Sequence, residues 1–236
     1  GFAPEVVFHL AAQIDVRRAV ADPAFDARIN VEGTVSVLEA ARAAGARRVV
    51  LSSTGGAIYG EADVVPTPES AEERPLSPYG QAKLAAEGYL GLATRLYGLS
   101  TVALRYANVY GPRQDPLGEG GVVAIFCGLA RQGAATATVF GDGGQTRDFT
   151  YVGDVVEANL LAADSPATGA YNVGTAVETT VLDVAAALSL TPEHAPDRAG
   201  EVRRSCLDPS AAGTALGWRP RTTFADGLRS TLASLP

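Results

Sequence analysis

Cysteine is scarce in this chain of 236 residues: Cys127 and Cys206 lie far apart, too few for a disulfide framework or a spaced set of zinc ligands. Two reduced thiols in a reducing compartment, the cytoplasm, are the expectation, with no metal. Runs of Lys or Arg are also missing. With 26 acidic against 19 basic residues the formal charge is -7, and nucleic acid is not an expected partner, because phosphate-backbone binding draws on clustered cations. No apolar run approaches the roughly 20 residues that cross a bilayer. The opening Gly1-Phe2-Ala3-Pro4-Glu5 has neither the basic start nor the apolar stretch of a signal peptide, so a soluble protein with no membrane partner is expected. There is no fixed-period repeat and no low-complexity tract. What is present is ordinary: 47% hydrophobic and 19% charged residues suffice for a full core, as one large or two modest domains.

Val6-Val7-Phe8-His9-Leu10-Ala11-Ala12 is a nearly continuous apolar run, the pattern of a strand buried on both faces of a parallel sheet. A helix is expected next, with Asp22 as N-cap, Pro23 in the first turn and Gly45 past its end. Arg48-Val49-Val50-Leu51-Ser52-Ser53 then repeats the buried-strand pattern. A second long helix runs from Ser77-Pro78 to Gly98, followed by a strand at Thr101-Val102-Ala103-Leu104-Arg105-Tyr106. This rhythm predicts an α/β protein whose residues 1–110 are part of a doubly wound parallel sheet. From Gly111 onward, Pro- and Gly-rich joints separate shorter helices (122–131, 152–163, 181–189) and short strands (138–140, 171–173). Residues 111–236 therefore read as a smaller, interleaved substrate domain, with segments around 138–173 returning to the first unit. Cys127 and Trp218 read as packing residues, Trp218 within the second domain, and His9 as a hydrogen-bonded core histidine.

The chemistry centres on Ser77-Pro78-Tyr79-Gly80-Gln81-Ala82-Lys83. Residues four apart on a helix share a face, so Tyr79 and Lys83 can enter one cleft. A phenol near pKa 10 is a poor base at neutral pH, and a nearby ammonium favours the phenolate. Oxidation of an alcohol needs such a base. The strand ending Ser52-Ser53-Thr54 delivers hydroxyls to the carboxyl-end rim where ligands bind in such sheets. Gly55-Gly56 then lets backbone approach a ligand. Tyr59, Tyr110 and Tyr151 can also approach ligands, but Tyr79 alone among these has Lys four residues on.

The segments Leu51-Ser52-Ser53-Thr54-Gly55-Gly56-Ala57-Ile58-Tyr59-Gly60, Ser77 to Lys83, and Leu104-Arg105-Tyr106-Ala107-Asn108-Val109-Tyr110-Gly111-Pro112-Arg113 resemble the UDP-glucose 4-epimerase family of extended short-chain dehydrogenases. So do His9-Leu10-Ala11-Ala12, Asn30-Val31-Glu32-Gly33-Thr34, Arg147-Asp148-Phe149-Thr150-Tyr151-Val152 and Tyr171-Asn172-Val173-Gly174. The resemblance implies a Rossmann-like fold, NAD as cofactor, a UDP-sugar substrate and a homodimer. It implies Tyr79 as base, Lys83 as its partner and holder of the nicotinamide ribose, and Thr54 or Ser53 as the bridging hydroxyl, Thr54 preferred. Ala11, Ala12, Gln13, Asn30, Ser52 and Tyr106 would line the dinucleotide site. Asn108, Arg147 and Arg198 would hold the uridine diphosphate, and two arginines suit a diphosphate through paired hydrogen bonds. Ser205, five positions after Gly200, is small where a bulky residue tends to exclude N-acetyl sugars.

The reaction so implied is C4 epimerisation of a UDP-hexose through a transient 4-keto sugar. A 4,6-dehydratase of this group resembles Thr-Asp-Glu where this chain has Thr54-Gly55-Gly56, and the missing carboxylates argue against elimination. A decarboxylase, a ketoreductase or a non-catalytic dinucleotide-binding protein are the remaining alternatives. The family's opening strand, glycine turn and helix, with the acidic residue that follows, are not found in this sequence. Roughly 60 residues, about two βα units, are expected to precede Gly1, and this stretch alone is not expected to hold NAD tightly. The family's helix also commonly continues into a longer connection where Leu190 meets Thr191.

Overall fold

The computed structural model describes residues 3–115, 121–197 and 202–235. The chain enters through strand β1 (Val6–His9), helix α1 (Val16–Ala21) and helix α2 (Pro23–Ala27), whose N-cap Asp22 accepts from the Phe25 amide. One π-type turn (Arg28–Glu32) carries α2 into α3 (Gly33–Ala43), so the expected single helix is one axis with a widened turn around Asn30. The sequence reading had no α1. Only Ala19 of that helix is buried, so it shows no apolar face, and it is held by Asp15, which caps the Arg17 and Arg18 amides.

Strand β2 (Arg48–Thr54), the short α4 (Gly55–Ile58), the long α5 (Pro78–Tyr97), β3 (Ser100–Tyr106) and β4 (Asn108–Tyr110) follow. Both ends of α5 were legible: Ser77 accepts from the Gly80 amide, and Gly98 closes the helix at φ 68°. The remainder comprises α6 (Val122–Arg131), β5 (Thr136–Phe140), β6 (Thr146–Arg147), β7 (Phe149–Tyr151), α7 (Val152–Asp164) and β8 (Gly169–Val173). It ends with β9 (Thr179–Thr180), α8 (Val181–Ala187), β10 (Thr191–Ala195), β11 (Arg204–Ser205), α9 (Ser210–Leu216) and α10 (Phe224–Ser234).

The largest sheet has the order β1-β2-β3-β8, parallel throughout. Its strands alternate sides, as their period of two requires. Val49, Leu51 and Ala103 pack with Leu38 of α3 and Ala86, Leu90 and Ala93 of α5 on one face. Val50, Val102, Leu104 and Val173 pack with Ala158 and Ala162 of α7 on the other. Both faces are covered, which explains the unbroken apolar pattern of β2. Val49, Val50 and Leu51 are fully buried, each stabilising the fold by about 1.5–3 kcal/mol.

A second core gathers Val123, Phe126 and Cys127 of α6, Val139 of β5, Phe149 of β7, Val184 of α8 and Leu228 of α10. Of the stretch 138–173 expected back on the first unit, α7 and β8 pack on the large sheet, whereas β5 pairs with β10 and belongs to this second core. Trp218 is a correction. Instead of packing the second core it lies under α7 with Ala212 and Leu216, because α9 ends at Gly217 (φ 69°) and the indole Nε1 donates to the Asp154 carbonyl at 2.8 Å. Leu190 meets Thr191 without a long connection: Ser189 takes φ 56°, Leu190 N–H returns to the Ala185 carbonyl, and β10 begins at once. That left-handed turn ends α8 short of the 181–189 expected.

Candidate active site

At the carboxyl rim of the sheet, the two faces of β2 receive different hydroxyls. Ser53 points with Val49 and Leu51 toward α5, and donates to Glu87 Oε1 at 2.5 Å. Ser52 turns to the α7 face, where its hydroxyl lies 3.1 Å from Tyr106 OH, itself bonded to Asn159. Thr54 ends the strand, and among the described residues its hydroxyl has no hydrogen-bond partner. Ser53 and Thr54 both border a cavity of about 470 Å³ that also takes in Tyr79, Tyr106, Asn108, Gln114 and Arg147. Of the two, Ser53 gives its hydroxyl to the Glu87 carboxylate.

Tyr79, Lys83 and Glu87 form one stripe along α5. Lys83 is 5% exposed and donates to the Ser52 carbonyl at 2.7 Å, which ties the helix to the rim of β2. Burial pulls its ammonium down to about 8, against the nearby carboxylates Glu87 and Asp26, which hold it up. The Tyr79 phenol is pushed up to about 12, by burial first and by the Asp26 carboxylate second. This corrects the sequence expectation of a phenol lowered by its lysine: in the protein alone burial and the Asp26 carboxylate both raise it, and the lysine loses its proton first.

The loop after β1 is bound back onto the helical run. Gln13 N–H donates to Asn30 Oδ1 and Asn30 Nδ2 to the Gln13 carbonyl, both at 2.9 Å, while the Gln13 and Asn30 amides both donate to Asp26 Oδ1. Asn30 is 3% exposed and its amide is consumed in holding this loop, which leaves the small Ala11 and Ala12 along the rim. His9, also buried, lies 3.0 Å from Thr34 Oγ1, the core histidine expected.

On the opposite side, the glycine pair works by close approach. A Cβ on Gly55 would overlap the Leu207 side chain, and one on Gly56 would meet Ser205 Oγ at 3.6 Å and Asn108 Oδ1 at 3.8 Å. Ser205 is paired with Arg147 across β11 and β6, so Asn108, Arg147 and Ser205, predicted from distant segments, come together. Buried Asp148 fastens this corner by accepting from Thr175 N–H and Oγ1 and from Leu207 N–H. Arg198 lies outside the described residues. Sequence reading missed Asp26, Glu87 and Asp148. Glu87 was findable, four residues beyond Lys83; Asp26, four before Asn30, carried no signal without the fold.

A parallel sheet with tyrosine and lysine one helical turn apart at its carboxyl rim defines the extended short-chain dehydrogenase class. The chain belongs to the NAD dependent epimerase/dehydratase family, whose model matches residues 1–174. It is 48% identical over 239 residues to a UDP-glucose 4-epimerase of Mycolicibacterium smegmatis, covering 98% of this chain and 76% of that one. The crystal structure of a UDP-glucose 4-epimerase from Thermotoga maritima, solved with UDP-glucose, superposes with a TM-score of 0.95 at 47% identity, covering 98% and 77%. That of the Thermus thermophilus UDP-glucose 4-epimerase in complex with NAD gives 0.89 at 45% identity, with the same coverage. Among the described residues no cluster of His, Cys, Asp or Glu could hold a metal, and no helix is long and apolar enough to cross a membrane.

Proposed function

We propose that the protein interconverts UDP-glucose and UDP-galactose by reversible, NAD-dependent inversion at sugar C4. The observation that carries this reading is the rim itself: Thr54 and Tyr79 border one cavity, Lys83 is tied to the adjacent Ser52 carbonyl, and Gly55 and Gly56 stand where the resemblance implies that elimination would need carboxylates. Thr54 and Tyr79 flank the 4-hydroxyl, and Tyr79 takes its proton. Lys83, fixed by the Ser52 carbonyl, holds a positive charge beside the developing phenolate. NAD, held by Lys83 and along Ala11 and Ala12, would supply reversible hydride acceptance at sugar C4, which allows inversion through a 4-keto sugar. Tyr79 then gives the proton back.

The donor set fits the cofactor: a buried ammonium for the ribose, and the small Ala11 and Ala12 along a loop that Gln13 ties to Asn30. Asn108 and Arg147, with Arg198, hold the diphosphate, and the small Ser205 beside Gly56 leaves room for an N-acetyl group. Residues 1–110 supply the cofactor side and 111–236 mainly the sugar-nucleotide side. Exposed Tyr89, Leu92, Leu96 and Tyr97 along α5 support a homodimer, and reduced buried Cys127 and Cys206 support a cytoplasmic enzyme. Incubating full-length protein separately with UDP-glucose, UDP-galactose and their N-acetyl analogues tests the reading. At least one pair interconverts without net consumption of reduced cofactor; no turnover of any sugar sinks it.

A further inference from the structure

Asp26 is fully buried, yet its Oδ2 is one of two buried side-chain oxygens or nitrogens without a hydrogen-bond partner among the described residues. A buried carboxylate oxygen left open is costly and is retained where something else depends on it. The other oxygen is fixed, accepting from Gln13 Nε2 at 2.8 Å and Asn30 Nδ2 at 3.0 Å. Helix α2, which carries Asp26, packs on α5, which carries Tyr79 and Lys83.

We propose that Asp26 is a positioning residue of the Tyr79–Lys83 pair: a carboxylate mounted on Gln13 and Asn30 that supplies fixed negative charge behind the reacting groups. It acts through the pair and touches neither sugar nor cofactor. Its field reaches both members, opposing loss of the Lys83 proton and opposing loss of the Tyr79 proton. The other charged and titratable groups around the pair are Glu87 on α5, which also supports the ammonium, and His9 on β1, which senses Lys83. The consequence is a pair that holds its protons more tightly than burial alone would allow until bound cofactor and substrate alter the field, so that the base forms in the loaded site.

This proposal rests on the reading of Tyr79 as the base, and the test separates the two. In protein labelled at tyrosine Cζ, with the Tyr79 resonance assigned by its loss in Tyr79→Phe, the phenol titration is followed by NMR in wild type, Asp26→Asn and Asp26→Ser. Thermal melting confirms that each variant is folded, and the use of two neutral replacements guards against failure of one. Both variants shift the Tyr79 titration down by about one pH unit, and the acid limb of the kcat profile moves down with it. Asn30→Ala, which keeps the charge and loosens its mount, leaves the titration within a few tenths of wild type. An unmoved Tyr79 resonance in the folded neutral variants overturns the role of Asp26 and leaves Tyr79 as base untouched. A moved resonance with an unmoved kcat limb overturns Tyr79 as base, and with it the place of Asp26 in the reaction.

Discussion

Two buried charge clusters sit one turn apart along α5, and they are finished differently. Around Glu87, the Arg105 guanidinium donates to both carboxylate oxygens (3.1, 3.1 and 2.6 Å), to Glu73 and to Tyr59 OH, and Ser53 adds a further donor to Glu87. The carboxylates and the tyrosine hydroxyl outweigh burial and drive Arg105 above its ordinary value. Around Lys83 there is, among the described residues, one close hydrogen bond, to a carbonyl, and burial wins: the ammonium falls to about 8 and the phenol on the same stripe rises to about 12. A saturated ion network is a clamp, since nothing is gained by changing its protonation. An under-paired lysine and a phenol with displaced titrations can exchange protons with a ligand. On the proposed reading, the same helix face supplies the hold and the chemistry.

The sharpest way to separate the two is to remove the phenolic oxygen. Tyr79→Phe is expected to lower kcat by about 10²–10⁴-fold, the usual contribution of a positioned general base, with UDP-sugar affinity and Tm little changed. Steady-state kinetics with a thermal melt decides it. A fall in both turnover and stability would make Tyr79 part of the clamp.

The converse change is Arg105→Met. It leaves Glu87, whose side chain is 8% exposed, without its counter-ion, and destabilisation of about 3–5 kcal/mol is expected in urea unfolding. Replacing both partners, Arg105→Met with Glu87→Leu, restores most of that loss if the cluster is a clamp; no recovery would show that the pair does more than hold.

Much of this contrast was visible before the fold, and the part that was not has a physical reason. The buried strands, the Ser77 cap, the Gly98 stop and the Tyr79–Lys83 spacing are local patterns, written in residues within a few turns of one another. Trp218 was misplaced because its apolar neighbours do not say which core receives them; the left-handed Gly217 does. The displaced titrations of Tyr79 and Lys83 depend on burial and on Asp26, which the fold brings from more than fifty residues away. Proximity of this kind is a tertiary property, so the sequence showed the pair and not its field.

The pH dependence of stability isolates the lysine. Its folded pKa of about 8 lies below the ordinary 10.5, so between these values the unfolded chain binds more protons and stability rises with pH. Below pH 8 both states hold the proton and burial of the ammonium is a constant cost. The stability of wild type minus that of Lys83→Met is therefore expected to rise by roughly 3 kcal/mol between pH 8 and 10.5, and to flatten below pH 8. A difference flat throughout would place Lys83 in a fully paired cluster like that of Arg105.

The smallest effect tests the boundary between the clusters, which runs between adjacent residues of β2. Ser53 gives its hydroxyl to Glu87, and Thr54 has its own uncommitted at the cavity. Ser53→Ala is expected to cost about 1.5–3 kcal/mol of stability, the usual loss for a hydrogen bond to a charged group, with kcat reduced less than about threefold. Thr54→Val, nearly the same shape, is expected to leave stability within about 1 kcal/mol and to lower kcat by about tenfold, because only the proton relay is lost. The paired measurement matters more than either value. If Ser53→Ala carries the kinetic loss and Thr54→Val the thermodynamic one, the two hydroxyls exchange roles, and the clamp of Arg105 and Glu87 reaches into the reaction itself.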